Sequence, residues 1–165
     1  MCGIAGLIHR GKTSNVGSEL QQMLQALKHR GPDSTGYALY ADNDGKNFIL
    51  RFKVGENVGE GSSSVNEDAS IYDERKKLVD QMLSTLDVKI IKEDRLNPYS
   101  VRYEIEYDKD LMEFSKKIES MNSVEILSIG KYHELIKDVG DATEGAERSG
   151  LAAVKGTQGV GQARI

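Results

Sequence analysis

Met1-Cys2-Gly3-Ile4-Ala5-Gly6-Leu7-Ile8 opens the chain, and a second distinctive stretch, His29-Arg30-Gly31-Pro32-Asp33-Ser34-Thr35-Gly36, follows it. Residues 2–8 are a short apolar run broken by glycine, which reads as a buried strand rather than a helix. Cys2, the only cysteine, therefore stands at a strand end. Two readings of it are open. A small buried cysteine usually behaves as an inert hydrophobe. Once Met1 is removed, however, Cys2 carries a thiol and a free amine on one carbon. That is a nucleophile with its own base, because an α-amino group titrates near pH ~8.

Working outward, 165 residues suit one domain or a small domain carrying an insertion. A formal net charge of -4 with acidic and basic residues mixed along the chain points to no nucleic-acid or membrane partner. No charged-then-apolar leader and no long apolar run is visible, so neither a signal peptide nor a transmembrane helix is expected. A single cysteine and three scattered histidines supply neither an internal disulfide nor metal-ligand spacing. A reducing cytoplasm is the default that follows, and it would keep Cys2 reduced.

Ser18-Glu19-Leu20-Gln21 has the form of a capping box, and Leu20, Met23, Leu24 and Leu27 repeat at helical spacing, predicting a helix over 19–29. Pro32 must end it. Gly36–Tyr40 reads as a strand, 42–45 as a hairpin turn and Phe48–Phe52 as its partner. The glycine- and serine-rich stretch 55–64 lacks the ending of a phosphate loop and reads as a linker. Val79, Met82, Leu83 and Leu86 mark a helix near 72–86. Strands follow at 88–92 and 99–107, then a helix from Leu111 to Met121 and a strand at 124–129. On the second of these strands Tyr99, Tyr103 and Tyr107 share a face. Base stacking is one use for such a face, but the opposing Glu104 and Glu106 favour core packing. Residues 138–150 are polar and glycine-dotted, suiting a connection.

Cys-Gly-Ile-x-Gly at the amino terminus followed by His-Arg-Gly-Pro-Asp-Ser-x-Gly resembles the class II glutamine amidotransferases. These are amino-terminal nucleophile hydrolases, and they include the amidotransferase parts of asparagine synthetase, glucosamine-6-phosphate synthase and glutamate synthase. The tail, Lys155-Gly156-Thr157-Gln158-Gly159-Val160-Gly161-Gln162-Ala163-Arg164, is similar to the family segment that usually reads Gly-His-Thr-Arg, most closely in the glutamate-synthase-like branch. It departs from that segment at Gln162 and Ala163.

The resemblance implies an α+β fold, the αββα sandwich of amino-terminal nucleophile hydrolases, here incomplete, while the run of helix, strand, strand, helix, strand in about eighty residues reads on its own as an inserted ferredoxin-like α/β subdomain. Residues 1–55 would form the first part of the core, 56–138 the insert and 139–165 the return to a core that continues beyond 165. Cys2 is the implied nucleophile, with Gly3, Arg30, Gly31 and Asp33 as active-site support and Arg164 binding the substrate's α-carboxylate. On the residues alone, Arg30 and Asp33 read equally well as a structural ion pair or turn. Glutamine is the implied substrate and a synthase domain or subunit the implied ammonia acceptor, within an oligomer or larger complex and with no cofactor or metal. The family's oxyanion hole uses an Asn-Gly pair, which this sequence lacks. That leaves two rivals: a noncatalytic or regulatory module with the same fold, and an amino-terminal nucleophile hydrolase of another amide.

Overall fold

The computed structural model describes residues 2–30, 33–55 and 69–164. In chain order its elements are β1 (Gly3–Ile8), α1 (Val16–Ala26), a 3₁₀ turn (Lys28–Arg30), β2 (Ser34–Ala41), β3 (Phe48–Lys53), α2 (Ala69–Thr85), β4 (Lys89–Asn97), β5 (Ser100–Glu106), α3 (Leu111–Glu119), β6 (Glu125–Gly130), β7 (His133–Val139), α4 (Ala142–Ser149), a second 3₁₀ turn (Leu151–Ala153) and β8 (Gly156–Arg164). They form two compact units, Met1–Gly45 with Gly130–Ile165, and Lys46–Ile129. The chain is thus α+β, with a four-stranded sheet in each unit. No helix among the described residues is long and apolar enough to cross a membrane.

The first unit holds the sheet β1-β8-β2-β7, each neighbouring pair antiparallel. Strand alternation divides its side chains between two faces. Ala5, Tyr37, Leu39 and Ile136 turn to one face and pack with Val16, Leu20 and Leu24 of α1 and Ala142 and Ala146 of α4. The Tyr37 hydroxyl donates to the Ala142 carbonyl at 3.2 Å, and burial pushes its pKa up to about 12. The other face is open: Ile4 is 70% exposed, Ile8 73% and Val160 53%.

Helix α1 begins at Val16, earlier than the predicted residue 19, and Asn15 rather than Ser18 stands at its start. Val16 and Gly17 are buried there. The real tie lies further back. Ser14 Oγ donates to Glu19 Oε1 at 2.6 Å, and Glu19 Oε2 meets His9 Nε2 at 2.6 Å, joining the end of β1 to the first turn of the helix. Helix α4 occupies the stretch predicted as a connection. Asp141 caps it, accepting from the Thr143 and Glu144 amides at 2.8 and 3.1 Å, and Gly150 ends it at φ 65°. Its buried side is built from Ala142, Gly145, Ala146 and Ser149, residues too small to show as an apolar stripe.

The expected β2–β3 hairpin does not form. Both sides of β2 are taken, by β8 and β7, and β3 pairs with β5 instead. For the same reason the compact units meet at 45/46 and 129/130, whereas the sequence suggested 55/56 and 138/139. Most of the stretch read as a linker, 56–64, lies outside the described residues.

The second unit runs strand, helix, strand, strand, helix, strand, with sheet order β4-β5-β3-β6. Leu50, Phe52, Val101, Tyr103 and Ile105 of the sheet pack with Val79 and Leu83 of α2 and Phe114 and Ile118 of α3. The tyrosines of β5 and its ends belong to this packing. Tyr103 is fully buried and donates to Asp80 at 2.5 Å, while Tyr99 meets Tyr72 and Tyr107 meets Phe114, ring to ring. Between β4 and β5, Asn97 Oδ1 accepts from the Tyr99 and Ser100 amides at 3.1 and 2.7 Å and shapes the turn.

Two outcomes follow for stability. A β-carbon on Gly17 would stand 1.9 Å from the Leu151 carbonyl oxygen, so α1 must move if one is added. Overpacking of this kind costs about 1–3 kcal/mol, so in thermal melts Gly17→Ala should lower the midpoint by roughly ten degrees. The second outcome concerns Glu19, whose pKa is held below the ordinary glutamate value of 4.5, first by the Ser14 hydroxyl and then by His9. A carboxylate with a depressed pKa stabilises the fold above its ordinary value, and that contribution is lost as pH falls through the depressed one. Urea titrations from neutral to acid pH should therefore show Glu19→Gln less stable than the parent at neutrality, the gap closing below pH 4.5.

Candidate functional site

Antiparallel pairing fixes which residues meet at the end of the first sheet. Gly3 lies opposite Ala163, and Ser34 lies opposite both Arg164 and Val139. Cys2, one residue before Gly3, is thereby carried alongside Arg164. Beyond the strand ends the ladder continues through Asp33, whose amide donates to the Arg164 carbonyl at 3.1 Å and whose carbonyl accepts from the Gly140 amide at 2.8 Å. One edge of the sheet thus brings together the start of β1, the end of β8, the start of β2 and the end of β7.

Alternation then assigns the faces. Ala5 and Ala163 are buried toward the helices, so Cys2 and Ile4 on β1, and Arg164 and Gln162 on β8, share the open face. Cys2 is a free, exposed thiol, and Arg164 is exposed beside it. Gly3 faces the other way. A β-carbon built on it would lie 3.2 Å from Leu27 Cβ and 3.3 Å from Arg30 Cβ, so the 3₁₀ turn sits directly against the strand behind the thiol. That turn is held by the Arg30 amide donating to the Leu27 carbonyl at 2.8 Å.

Of the residues singled out from the sequence, Cys2, Gly3, Arg30, Asp33 and Arg164 therefore gather at one end of one sheet. Gly31 lies outside the described residues. The contribution of Asp33 is its backbone, which extends the ladder on both sides. Chemically, the pairing of an exposed thiol with a planar, multiply donating guanidinium can hold a carboxylate-bearing molecule next to a nucleophile. Two further residues of this end escaped the sequence reading. Ser34 belongs to the second motif, where alternation against buried Thr35 could have placed it on the open face. Lys137 could not have been found that way, because nothing in the sequence marked β7 as a strand of this sheet.

Residues 1–48 match the family described as glutamine amidotransferase domain. That span holds Cys2, Gly3, Arg30 and Asp33. Over 179 aligned residues the chain is 32% identical to a protein of Methanothermobacter thermautotrophicus named "Putative glutamine amidotransferase", and the match takes in 100% of this chain and 52% of that relative. The likeness is to glutamine amidotransferases, at the level of the family. The chain spans about half the length of the curated relative it matches.

The close approach behind Cys2 gives a direct check on this geometry. A valine at position 3 would press on Leu27 and Arg30 and push the turn off the strand. Gly3→Val should cost about 1–3 kcal/mol in urea unfolding, with Gly3→Ala in between. Equal stability of all three proteins would show that the turn does not rest on β1.

Proposed function

We propose that this chain is the nucleophile-bearing part of a class II glutamine amidotransferase. The observation that carries the reading is the meeting of Cys2 and Arg164 on one face at one end of the first sheet, beside the match of residues 1–48. After removal of Met1, the α-amine of Cys2 takes the thiol proton. The thiolate attacks the side-chain amide carbon of glutamine, and Arg164 holds the α-carboxylate. Collapse of the tetrahedral adduct breaks the C–N bond. Ammonia leaves with the proton returned by the amine, and a γ-glutamyl thioester remains. Water then cleaves the thioester, releasing glutamate and the thiol. Gly3 keeps the strand thin enough for the turn bearing Arg30 to close behind the nucleophile. By the same resemblance Gly31 and Asp33 belong to the active-site support, Asp33 through its backbone bonds to β8 and to Gly140.

The open face supports the matching fold. Isoleucines at positions 4 and 8 and Val160 are largely exposed on it, an apolar surface of the kind that a second sheet covers. An αββα sandwich, with that second sheet supplied by further sequence, fits a relative about twice as long. In this arrangement Lys46–Ile129 is an inserted subdomain of ferredoxin-like type, since its element order and its strand order β4-β5-β3-β6 are those of a split βαβ repeat. The ammonia released would pass to a synthase domain or subunit. The work belongs in a reducing compartment such as the cytoplasm, where a lone thiol survives.

Replacing the nucleophile in the full-length protein tests the proposal. Intact-mass analysis should find Met1 absent. Cys2→Ala should lower glutamate release by at least about a thousandfold, as removal of a covalent nucleophile does elsewhere. Retained Met1, or hydrolysis that survives Cys2→Ala, would overturn it.

A further inference from the structure

The open face of the first sheet carries exposed Ile4, Ile8 and Val160, and beside the Cys2 end it also carries a group of polar residues. Gly36 lies on this face, between the buried Thr35 and Tyr37. A β-carbon built on it would meet nothing nearer than the Ile136 carbonyl oxygen at 3.8 Å. The sheet is dented there. Across the strands, the neighbours of Gly36 are Gln162 on β8 and Lys137 on β7, both exposed. The next row toward the strand ends holds Ser34 and Arg164. Gln162 and Arg164 rise from the same face of one strand, about 6.6 Å apart at two residues' spacing.

An α-amino acid presents a carboxylate and an ammonium on a single carbon. Guanidinium and lysine ammonium groups only donate, so Arg164 and Lys137 suit the carboxylate and offer nothing to the ammonium. A carboxamide has a carbonyl oxygen that accepts. We propose that Gln162 is the specificity-determining residue of this site, its side-chain oxygen accepting from the substrate's α-ammonium over the Gly36 dent while Arg164 binds the carboxylate. This rests on the reading of Cys2 and Arg164 given above and deepens it. Gln162 thereby selects an α-amino acid amide over an amide that bears a carboxylate alone.

The test compares glutamine with glutaramate, the same molecule without its α-amino group, as substrates of the full-length protein. The parent should prefer glutamine. Gln162→Ala should lower kcat/KM for glutamine by about ten- to a hundredfold, the worth of a charged hydrogen bond, and leave glutaramate unchanged. Gln162→Glu, nearly the same in shape, should raise the preference, because a carboxylate holds an ammonium more firmly. It also serves should the alanine protein fail to fold. A loss shared equally by both substrates, or a preference unmoved by either variant, would overturn the inference. Cys2→Ala separates the two levels. If it abolishes hydrolysis while the Gln162 variants keep the parent's preference, only the role of Gln162 fails. If hydrolysis survives it, the site as a whole fails.

Discussion

The register of β8 is the constraint on which the first unit depends. The strand is hydrogen-bonded along β1 on one side and β2 on the other, so its alignment is set twice. A slip of one residue would exchange its faces. Packing forbids that. Side chains built on Gly159 and Gly161 would lie 2.6 Å from Leu20 Cδ1 and 2.8 Å from Leu24 Cδ1, so only bare backbone fits beneath α1. A slipped strand would drive Val160 and Gln162 into that space. Helix packing at the middle of β8 thus decides what stands at its end, and Arg164 is beside Cys2 because two leucines leave no room for an alternative.

Much of this was legible because the relevant signals are large or local. Alternation over residues 99–107, helical spacing in Leu111–Met121 and the glycine-broken run at 2–8 all gave elements where they are found. One kind of information was not local. The partner of β2 depends on β7, which lies far along the chain, and a turn-like 42–45 beside two apolar strands imitates a hairpin. Helix α4 was hidden for a different reason. Its contact face is alanine, glycine and serine, whose burial comes from close approach rather than from apolar bulk, so polarity read as loop.

The candidate site divides in the same way. Cys2, Arg30 and Arg164 stood out by residue type and by the motifs around them. Their convergence needed the register, and Gln162 stood out in the sequence only as a departure from the family segment. On the sheet it becomes a neighbour of Gly36, a position whose importance is the absence of a side chain.

The place where the chain leaves the first unit and the place where it returns also set an order for assembly. The Ala41 amide donates to the Tyr132 carbonyl at 2.7 Å, and the Asn43 side chain donates to the Lys131 carbonyl at 3.2 Å, so the two crossings are stitched together. Between them runs Lys46–Ile129. If that segment were a random coil, closing β2 onto β7 would bear the entropy of a long loop, which rises by about 0.6 kcal/mol for each doubling of length. A segment that has already folded holds its own ends near each other and removes most of that cost. With the segment folded first, the pairing of β2 with β7 would be nearly local in effect, although the two strands lie far apart in sequence.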